Sequence, residues 1–329
     1  MSDPVQELIQ EAVIRLKVPG IENPQGDAKR ILAHTLGVQK KDLYLVNFSR
    51  ISPGIVISFF SQIEVRRKLK PVSQIIGYRT FWGRDFLVNE HVLDPRPETE
   101  EVIYHALNEE FNNVLDLGTG SGILMITLAL ERKHIRAVGA DISDTALSQA
   151  NKNIEKFNLC NRTELVQSNW CTNVKSKFDL VVGNPPYIDP EKSDDFHPTL
   201  SKWEPEIALF SQDSGVAAYT IIARQLKSVL NSKGVAIFEI GYDQYPKVSN
   251  IFKQEGYQTA VFKDLSQKDR VIKVTFKQKN KKYVKFYVFF LLSHNLIVTE
   301  NTLTFLKHLH IRESILSHLI VNFLTLTPS

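Results

Sequence analysis

Three stretches carry residues whose types and spacing could do chemistry. They are Val181-Val182-Gly183-Asn184-Pro185-Pro186-Tyr187, the turn Gly118-Thr119-Gly120-Ser121-Gly122, and Asp141 about twenty residues beyond that turn. In the first, an apolar run stops at an amide, two prolines and an aromatic ring. Phe178, Leu180, Val181 and Val182 predict a short strand buried on both faces, and Asn-Pro ends it, so Asn184 is expected at a carboxyl strand end. Each proline fixes φ and removes a backbone donor, which leaves the carbonyls of the turn without local partners, as a rigid row of acceptors. Taken alone, the same residues also describe an ordinary strand-to-loop turn. The glycine turn lets a backbone approach a ligand closely and aims helix N-terminal amides at it. Asp141, ending the next strand, is placed to accept hydrogen bonds from a ribose diol. Together these two features indicate an adenosine-bearing cofactor. The nicotinamide fingerprint Gly-x-Gly-x-x-Gly would need glycine at 123, where this chain has isoleucine. Gly-x-Gly-x-Gly after Asp116-Leu117 suits S-adenosylmethionine better, although neither motif decides the matter by itself.

The elements that must position these residues are legible in the hydrophobic periodicity. Val5, Leu8, Ile9, Ala12, Val13 and Leu16 share one helical face, with Asp3 as cap and Pro4 at the first helical position. Ala28, Ile31, Leu32, Thr35 and Leu36 form a second stripe, stopped at Gly37. Leu43 to Phe48 and Ile55 to Leu69 are expected as two more helices, the last ending in a basic cluster that complements its dipole. Tyr78 to Trp82 and Arg84 to Val88 flank Gly83 as in a hairpin, and the rigid turn Leu93 to Glu100 leads into a helix through about Leu107. From Asn113 to Val182 strands and helices alternate, the pattern of an open, mainly parallel sheet with its ligand cleft at the carboxyl strand ends. A helix at 215–230, a strand at 234–240, a helix at 246–255 and strands at 258–263 and 270–276 complete the unit.

At 329 residues, 43% hydrophobic and 23% charged, the chain has the make-up of a globular protein with a substantial core. Its net charge of +4 is unevenly placed: seven Lys/Arg and two Asp/Glu give residues 277–329 a charge of +5, and the rest contributes −1. The near-neutral body offers no footprint for a protein that binds many phosphates. No basic leader opens the sequence, and no run of about 18 apolar residues occurs, so neither secretion nor a membrane span is expected. Cys160 and Cys171 complete no zinc spacing and are read as reduced thiols in a cytoplasmic protein, with no metal site expected.

In this order and combination the motifs resemble the release-factor glutamine methyltransferases, the HemK/PrmC family. The matching residues are Pro95-Arg96-Pro97-Glu98-Thr99-Glu100, Asp116 to Gly122, Asp141-Ile142-Ser143, Asn169-Trp170, Asn184 to Ile188, Trp203-Glu204-Pro205 with Ala208-Leu209, and Glu239-Ile240-Gly241 with Gln244. They span about residues 1–276. The resemblance implies a seven-stranded Rossmann-like methyltransferase sheet preceded by a small all-helical N-terminal domain. The pattern divides the chain into residues 1–72 (helical, substrate-binding), 73–92 (hairpin linker), 93–276 (S-adenosylmethionine-dependent methyltransferase domain) and 277–329, a tail of uncertain structure that the resemblance does not cover, for which a loosely packed extension is ranked ahead of a membrane-surface contact or translated sequence beyond the usual stop. The resemblance assigns S-adenosylmethionine to Gly118, Thr119, Gly120, Ser121, Gly122, Asp141, Trp170 and Asn184. It gives the substrate glutamine to Asn184, Pro185, Pro186 and Tyr187, with Asn184, Pro185 and Tyr187 catalytic, in a monomer that acts on a peptide-chain release factor and not directly on nucleic acid. Glu98 and Thr99 would border the methionine end of the cofactor. Two positions depart from the family: Asp94, where Ile or Thr is usual, and Gln267, where glycine is usual. An amide nitrogen is a poor nucleophile because its lone pair is delocalised into the carbonyl. Acceptors on both amide hydrogens, the Asn184 side-chain oxygen and the Pro185 carbonyl, would orient it for direct displacement, with Tyr187 packed on the amide plane. The rival functions are methylation of an exocyclic amine of a nucleic acid, which would need a basic groove, and a cofactor-binding assembly factor without catalysis.

Overall fold

The computed structural model describes residues 4–46, 51–191 and 200–277. The N-terminal helices are α1 (Pro4–Leu16), α2 (Pro24–Leu36), α3 (Pro53–Arg67) and the short α4 (Val72–Ile76). Their start and stop signals act as elementary capping chemistry requires. Asn23 accepts from the Gly26 amide at the head of α2, and Gly37, at φ 65°, closes it in the left-handed conformation that costs glycine least. Val5, Ile9, Ala12 and Leu16 of α1 pack with Ile31, Leu32, Phe59 and Ile63 into one apolar core. The helix expected at 43–48 is instead a 3-10 turn over Lys40–Leu45, in which only Leu43 is buried. Residues 47–50 and the expected cap Asp3 lie outside the described residues, as does the expected tail from 278 onward.

The hairpin forms as expected, β1 (Tyr78–Phe81) against β2 (Arg84–Leu87), turning at Trp82 and Gly83, both at positive φ. It is followed by α5 (Glu100–Leu107), β3 (Asn113–Leu117), α6 (Ile123–Glu131), β4 (Arg136–Asp141), α7 (Asp144–Lys156), β5 (Thr163–Gln167) and β6 (Phe178–Gly183). Three single turns lie at Leu200–Trp203, Glu206–Leu209 and Gln212–Gly215, and α8 (Ala217–Val229), β7 (Leu230–Glu239), α9 (Tyr245–Gln254), β8 (Tyr257–Lys263) and β9 (Asp269–Phe276) complete the fold. The seven-stranded sheet runs β5-β4-β3-β6-β7-β9-β8. Strands β5 to β7 in that order are parallel, and β9 is antiparallel to both of its neighbours. Apolar layers cover both faces. Helix α6 is buried from Ile123 to Ala129 because it is enclosed by the sheet and its neighbouring helices, so its sequence is apolar on every side.

Register decides where the chemistry can sit. Leu117 of β3 pairs with Ala140 of β4 and with Gly183 of β6, so the glycine turn, Asp141 and Asn184 leave the sheet at one edge. Strand order reverses between β3 and β6, the switch point at which doubly wound sheets open a cleft. Gly183 is required there: a Cβ would lie 2.7 Å from the Leu117 carbonyl oxygen.

Gln267, in the turn between β8 and β9, adopts φ 61°. A side chain in the left-handed region costs about 1–2 kcal/mol, a strain that glycine would not bear. Gln267→Gly is therefore expected to stabilise the protein by about 0.5–1 kcal/mol after the added flexibility of the unfolded chain is deducted, read as a higher urea midpoint.

Candidate functional site

At that sheet edge lies a cavity of about 310 Å³. Gly118, Thr119, Gly120, Ser121, Asp141, Trp170, Asn184 and Pro186 all line it, so most residues singled out in the sequence meet in one place. Gly122, Pro185 and Tyr187 do not line it. Gly122, at φ 81°, starts α6, and a Cβ there would meet Ile126 at 2.9 Å and Ala150 at 3.3 Å, so its role is to seat α6 against α7.

The turn after β3 is tightly bound: the Gly118 and Thr119 amides both donate to the Ala140 carbonyl, at 2.8 and 3.0 Å. Asp141 is fixed by two backbone donors, Gly120 at 2.9 Å and Ser143 at 3.0 Å, and each of its oxygens keeps a lone pair for a diol. Trp170, at φ 54°, lies over Gly118, with its ring 3.6 Å from the point a Cβ would occupy. Asp116, which lines the cavity, carries one of the orphan polar atoms among the described residues. Its Oδ2 accepts from Thr119 at 2.7 Å and from the Met125 amide at 3.3 Å, but its buried Oδ1 has no partner. Burial raises its pKa to about 7, opposed by those two hydrogen bonds. A cavity with a glycine cradle, a diol acceptor, an aromatic wall and an unpartnered carboxylate oxygen fits a nucleoside that carries a cationic tail.

The raised pKa of Asp116 has a consequence for stability. The native state binds a proton that the unfolded chain has lost, so this residue's contribution is full below pH about 4 and fades as pH rises through about 7. Asp116→Asn removes that dependence. Thermal melts of the ligand-free proteins are expected to show wild type losing stability relative to the asparagine variant between pH 4 and 8, whereas a constant difference would contradict the assignment.

The Asn184 turn is held from behind. The Asn184 Nδ2 group lies 3.3 Å from the Thr99 hydroxyl, which donates to Glu239 Oε2 at 2.6 Å, while the Tyr187 hydroxyl donates to Glu239 Oε1 at 3.2 Å. Glu239 is fully buried at the end of β7, and burial raises its pKa against the pull of Thr99, Arg270 and Tyr187. Gln244 donates to the Tyr187 carbonyl at 2.8 Å, so the row of free acceptors is shorter than the prolines imply. Asn184 Oδ1 and the Pro185 carbonyl have no hydrogen-bond donor among the described residues.

Asn153 escaped sequence reasoning, as did the partners of Glu204, Arg96, Asp94 and Trp203, residues the sequence does single out. Asn153 is fully buried on α7 and bridges the Ser121 carbonyl, at 2.9 Å, to both backbone groups of Leu87, tying the hairpin to the glycine turn. Glu204 pairs with Arg96 at 2.7 Å and accepts from the Asp94 amide at 3.0 Å. Asp94 itself is buried 3.5 Å from Arg79 and 3.8 Å from Arg96, which supplies the cations its unusual carboxylate needs. The segment after the turn also reaches the N-terminal helices, with Gln74 donating to the Trp203 carbonyl at 2.6 Å and Trp203 to the Lys68 carbonyl at 3.1 Å.

Comparison with known proteins agrees with this geometry. Residues 7–77 match the PrmC N-terminal domain and residues 98–198 the methyltransferase small domain. The release factor glutamine methyltransferase of Cereibacter sphaeroides is 37% identical over 267 residues, 81% of this chain and 96% of that protein. That of Caulobacter vibrioides is 36% identical over 264 residues, covering 78% of this chain and 91% of the relative. A bifunctional methyltransferase of Rickettsia bellii is 33% identical over 313 residues, 85% of this chain but only 56% of that protein.

Proposed function

The chain belongs to the release factor glutamine methyltransferases, and from that premise we propose that it methylates the side-chain amide nitrogen of the glutamine in the Gly-Gly-Gln motif of a peptide-chain release factor, using S-adenosylmethionine. The observation that carries the reading is the pair of unoccupied acceptors, Asn184 Oδ1 and the Pro185 carbonyl, beside a cavity suited to a nucleoside. When bound, S-adenosylmethionine supplies an electrophilic methyl group on a sulfonium. The backbone of Gly118 to Ser121, the carboxylates of Asp116 and Asp141 and the ring of Trp170 would hold that donor. The two acceptors each take one hydrogen of the glutamine amide, which aims its nitrogen at the methyl group and withdraws its lone pair from conjugation as positive charge develops. That chemistry would join the methyl group to the amide nitrogen with loss of the sulfur–carbon bond, the surplus amide proton passing to water. Tyr187, anchored by Glu239, borders the amide plane.

Residues 1–72, packed on their own core, serve in this reading as the docking module for the release factor, and the catalytic unit works as a monomer in the cytoplasm. No helix among the described residues is long and apolar enough to cross a membrane. The test is methyl incorporation from labelled S-adenosylmethionine by the purified chain, offered a release factor, the same factor with the glutamine of Gly-Gly-Gln replaced by alanine, duplex DNA, or ribosomal RNA. Label is expected in the intact release factor alone. Uptake by nucleic acid without uptake by the factor would move the protein to the amine methyltransferases.

Donor binding offers a separate check. Asp141→Ala is expected to weaken S-adenosylmethionine binding by about 10- to 100-fold in calorimetry, the loss of two charge-assisted hydrogen bonds. An unchanged affinity would remove Asp141 from the site.

A further inference from the structure

We propose that Thr99 and Glu239 are positioning residues that set which way round the Asn184 amide sits, by polarising a chain of hydrogen bonds that runs from Asn184 to Thr99 to Glu239. This rests on the methyltransferase reading of the same turn. An asparagine side chain has one accepting and one donating end of nearly equal size, and only the accepting end can serve a substrate amide hydrogen. Nothing in the turn itself, held by two prolines, chooses between them.

The choice is made behind it. Thr99 carries a single hydroxyl hydrogen and directs it to Glu239 Oε2 at 2.6 Å. The side of Thr99 that faces Asn184, at 3.3 Å, is therefore a lone pair, which accepts only from Nδ2. That leaves Oδ1 turned to the substrate side. Glu239 is suited to impose this direction because a carboxylate accepts at both oxygens, and its other oxygen takes the Tyr187 hydroxyl at 3.2 Å. Its own backbone carbonyl is held by the Tyr219 hydroxyl at 2.7 Å, so the group that sets the polarity is itself fixed. The charged and titratable groups facing it are Arg270, Glu98 and the two tyrosines: burial raises its pKa and Glu98 adds to the rise, while the Thr99 hydrogen bond, Arg270 and the Tyr187 hydrogen bond act against it, in favour of the ionised form. The links span 140 residues between Thr99 and Glu239 and 85 between Thr99 and Asn184.

Glu239→Gln tests the polarity with almost no change of shape. Its carbonyl oxygen can keep the Tyr187 hydroxyl, and its new donor then faces Thr99. The Thr99 hydrogen is freed toward residue 184, and the Asn184 amide turns its donor to the substrate. Turnover is expected to fall about 100-fold, with S-adenosylmethionine affinity and melting temperature close to wild type. Adding Asn184→Asp restores an acceptor on both sides of position 184, so the double variant is expected to exceed Glu239→Gln by at least about tenfold, a coupling that a structural role would not produce. Thr99→Val should match the loss and Thr99→Ser should recover most of it. Nearly wild-type turnover in Glu239→Gln, or a double variant no better than the single, would overturn the proposal.

A readout without substrate separates this idea from the functional reading. The side-chain amide NMR signals of Asn184, assigned by their disappearance in Asn184→Asp, are expected to include one slowly exchanging proton in wild type and none in Glu239→Gln. Fast exchange of both protons in wild type contradicts the proposal whatever the enzyme methylates. A slow proton in a protein that does not modify release factors sinks the substrate assignment alone.

Discussion

Asn184→Ala is expected to lower methyl transfer to a release factor by about 10²- to 10³-fold while S-adenosylmethionine binds within a fewfold of wild type. The size follows from what alanine removes. One of the two acceptors that orient the amide nitrogen is lost, and orientation is most of what this site can give, since the nucleophile is weak and its lone pair must point along one line. The donor site is spared because the glycine turn, Asp116 and Asp141 are held by contacts that do not pass through Asn184: the Ala140 carbonyl, the Gly120 and Ser143 amides, and Thr119. The cost therefore appears in the rate and little in the donor's dissociation constant. A variant with full turnover, or one that loses donor binding and turnover equally, would place the chemistry elsewhere.

Gly215→Ala is expected to damage both stability and turnover, although residue 215 carries no chemistry. Gly215 sits at φ 82°, and a Cβ there would lie 2.2 Å from the Tyr187 carbonyl oxygen and 2.6 Å from Gln244 Nε2. Gln244 bonds that same carbonyl at 2.8 Å, so the methyl group would part the turn from the residue that holds it. Left-handed strain of about 1–2 kcal/mol, with a broken buried hydrogen bond of about 1–3 kcal/mol, gives about 3 kcal/mol in all. That corresponds to a fall of roughly 4–6 °C in the melting temperature of a unit of this size. A displacement of the turn by about an ångström adds about a 100-fold loss of turnover. Gly256→Ala is the control: Gly256 has φ 89° but nothing within 4 Å of the added atom, so it should cost stability through strain alone and leave turnover intact. Equal effects of the two substitutions on turnover would mean that the approach to Tyr187 does not matter.

The contrast between these residues shows what the sequence could and could not reveal. Local pattern was enough to place Asn184, the glycine turn and Asp141 at strand ends, because each is marked by punctuation within a few residues: a strand that stops, a proline, a glycine; the chemistry expected of them came from their combination and the family resemblance. The parallel sheet followed from the alternation of elements, and strand register then brought the three together without further information. Glu239 stood in a matched motif but had no role, since its partners Thr99 and Tyr187 lie 140 and 52 residues away, and only the packing of α5 on β7 and the pairing of β6 with β7 make them neighbours. Asn153 on α7 looks like any polar position on an amphipathic helix until β2 is laid against it. Gly122 belonged by spacing to the cofactor turn, yet the helix it starts requires the glycine for packing. The expected helix at 43–48 lost to a tighter 3-10 turn that buries Leu43 and leaves Tyr44 and Leu45 exposed. Long-range polar pairs of this kind have no periodicity, and periodicity is what a sequence displays.

The most direct test of the central claim is tandem mass spectrometry of a release factor after incubation with the purified chain and S-adenosylmethionine. The account predicts one added methyl group, located on the side chain of the glutamine in Gly-Gly-Gln, and none when the enzyme carries Asn184→Ala over the same short incubation. A methyl group on any other residue, or unmodified factor beside methylated nucleic acid, would contradict it.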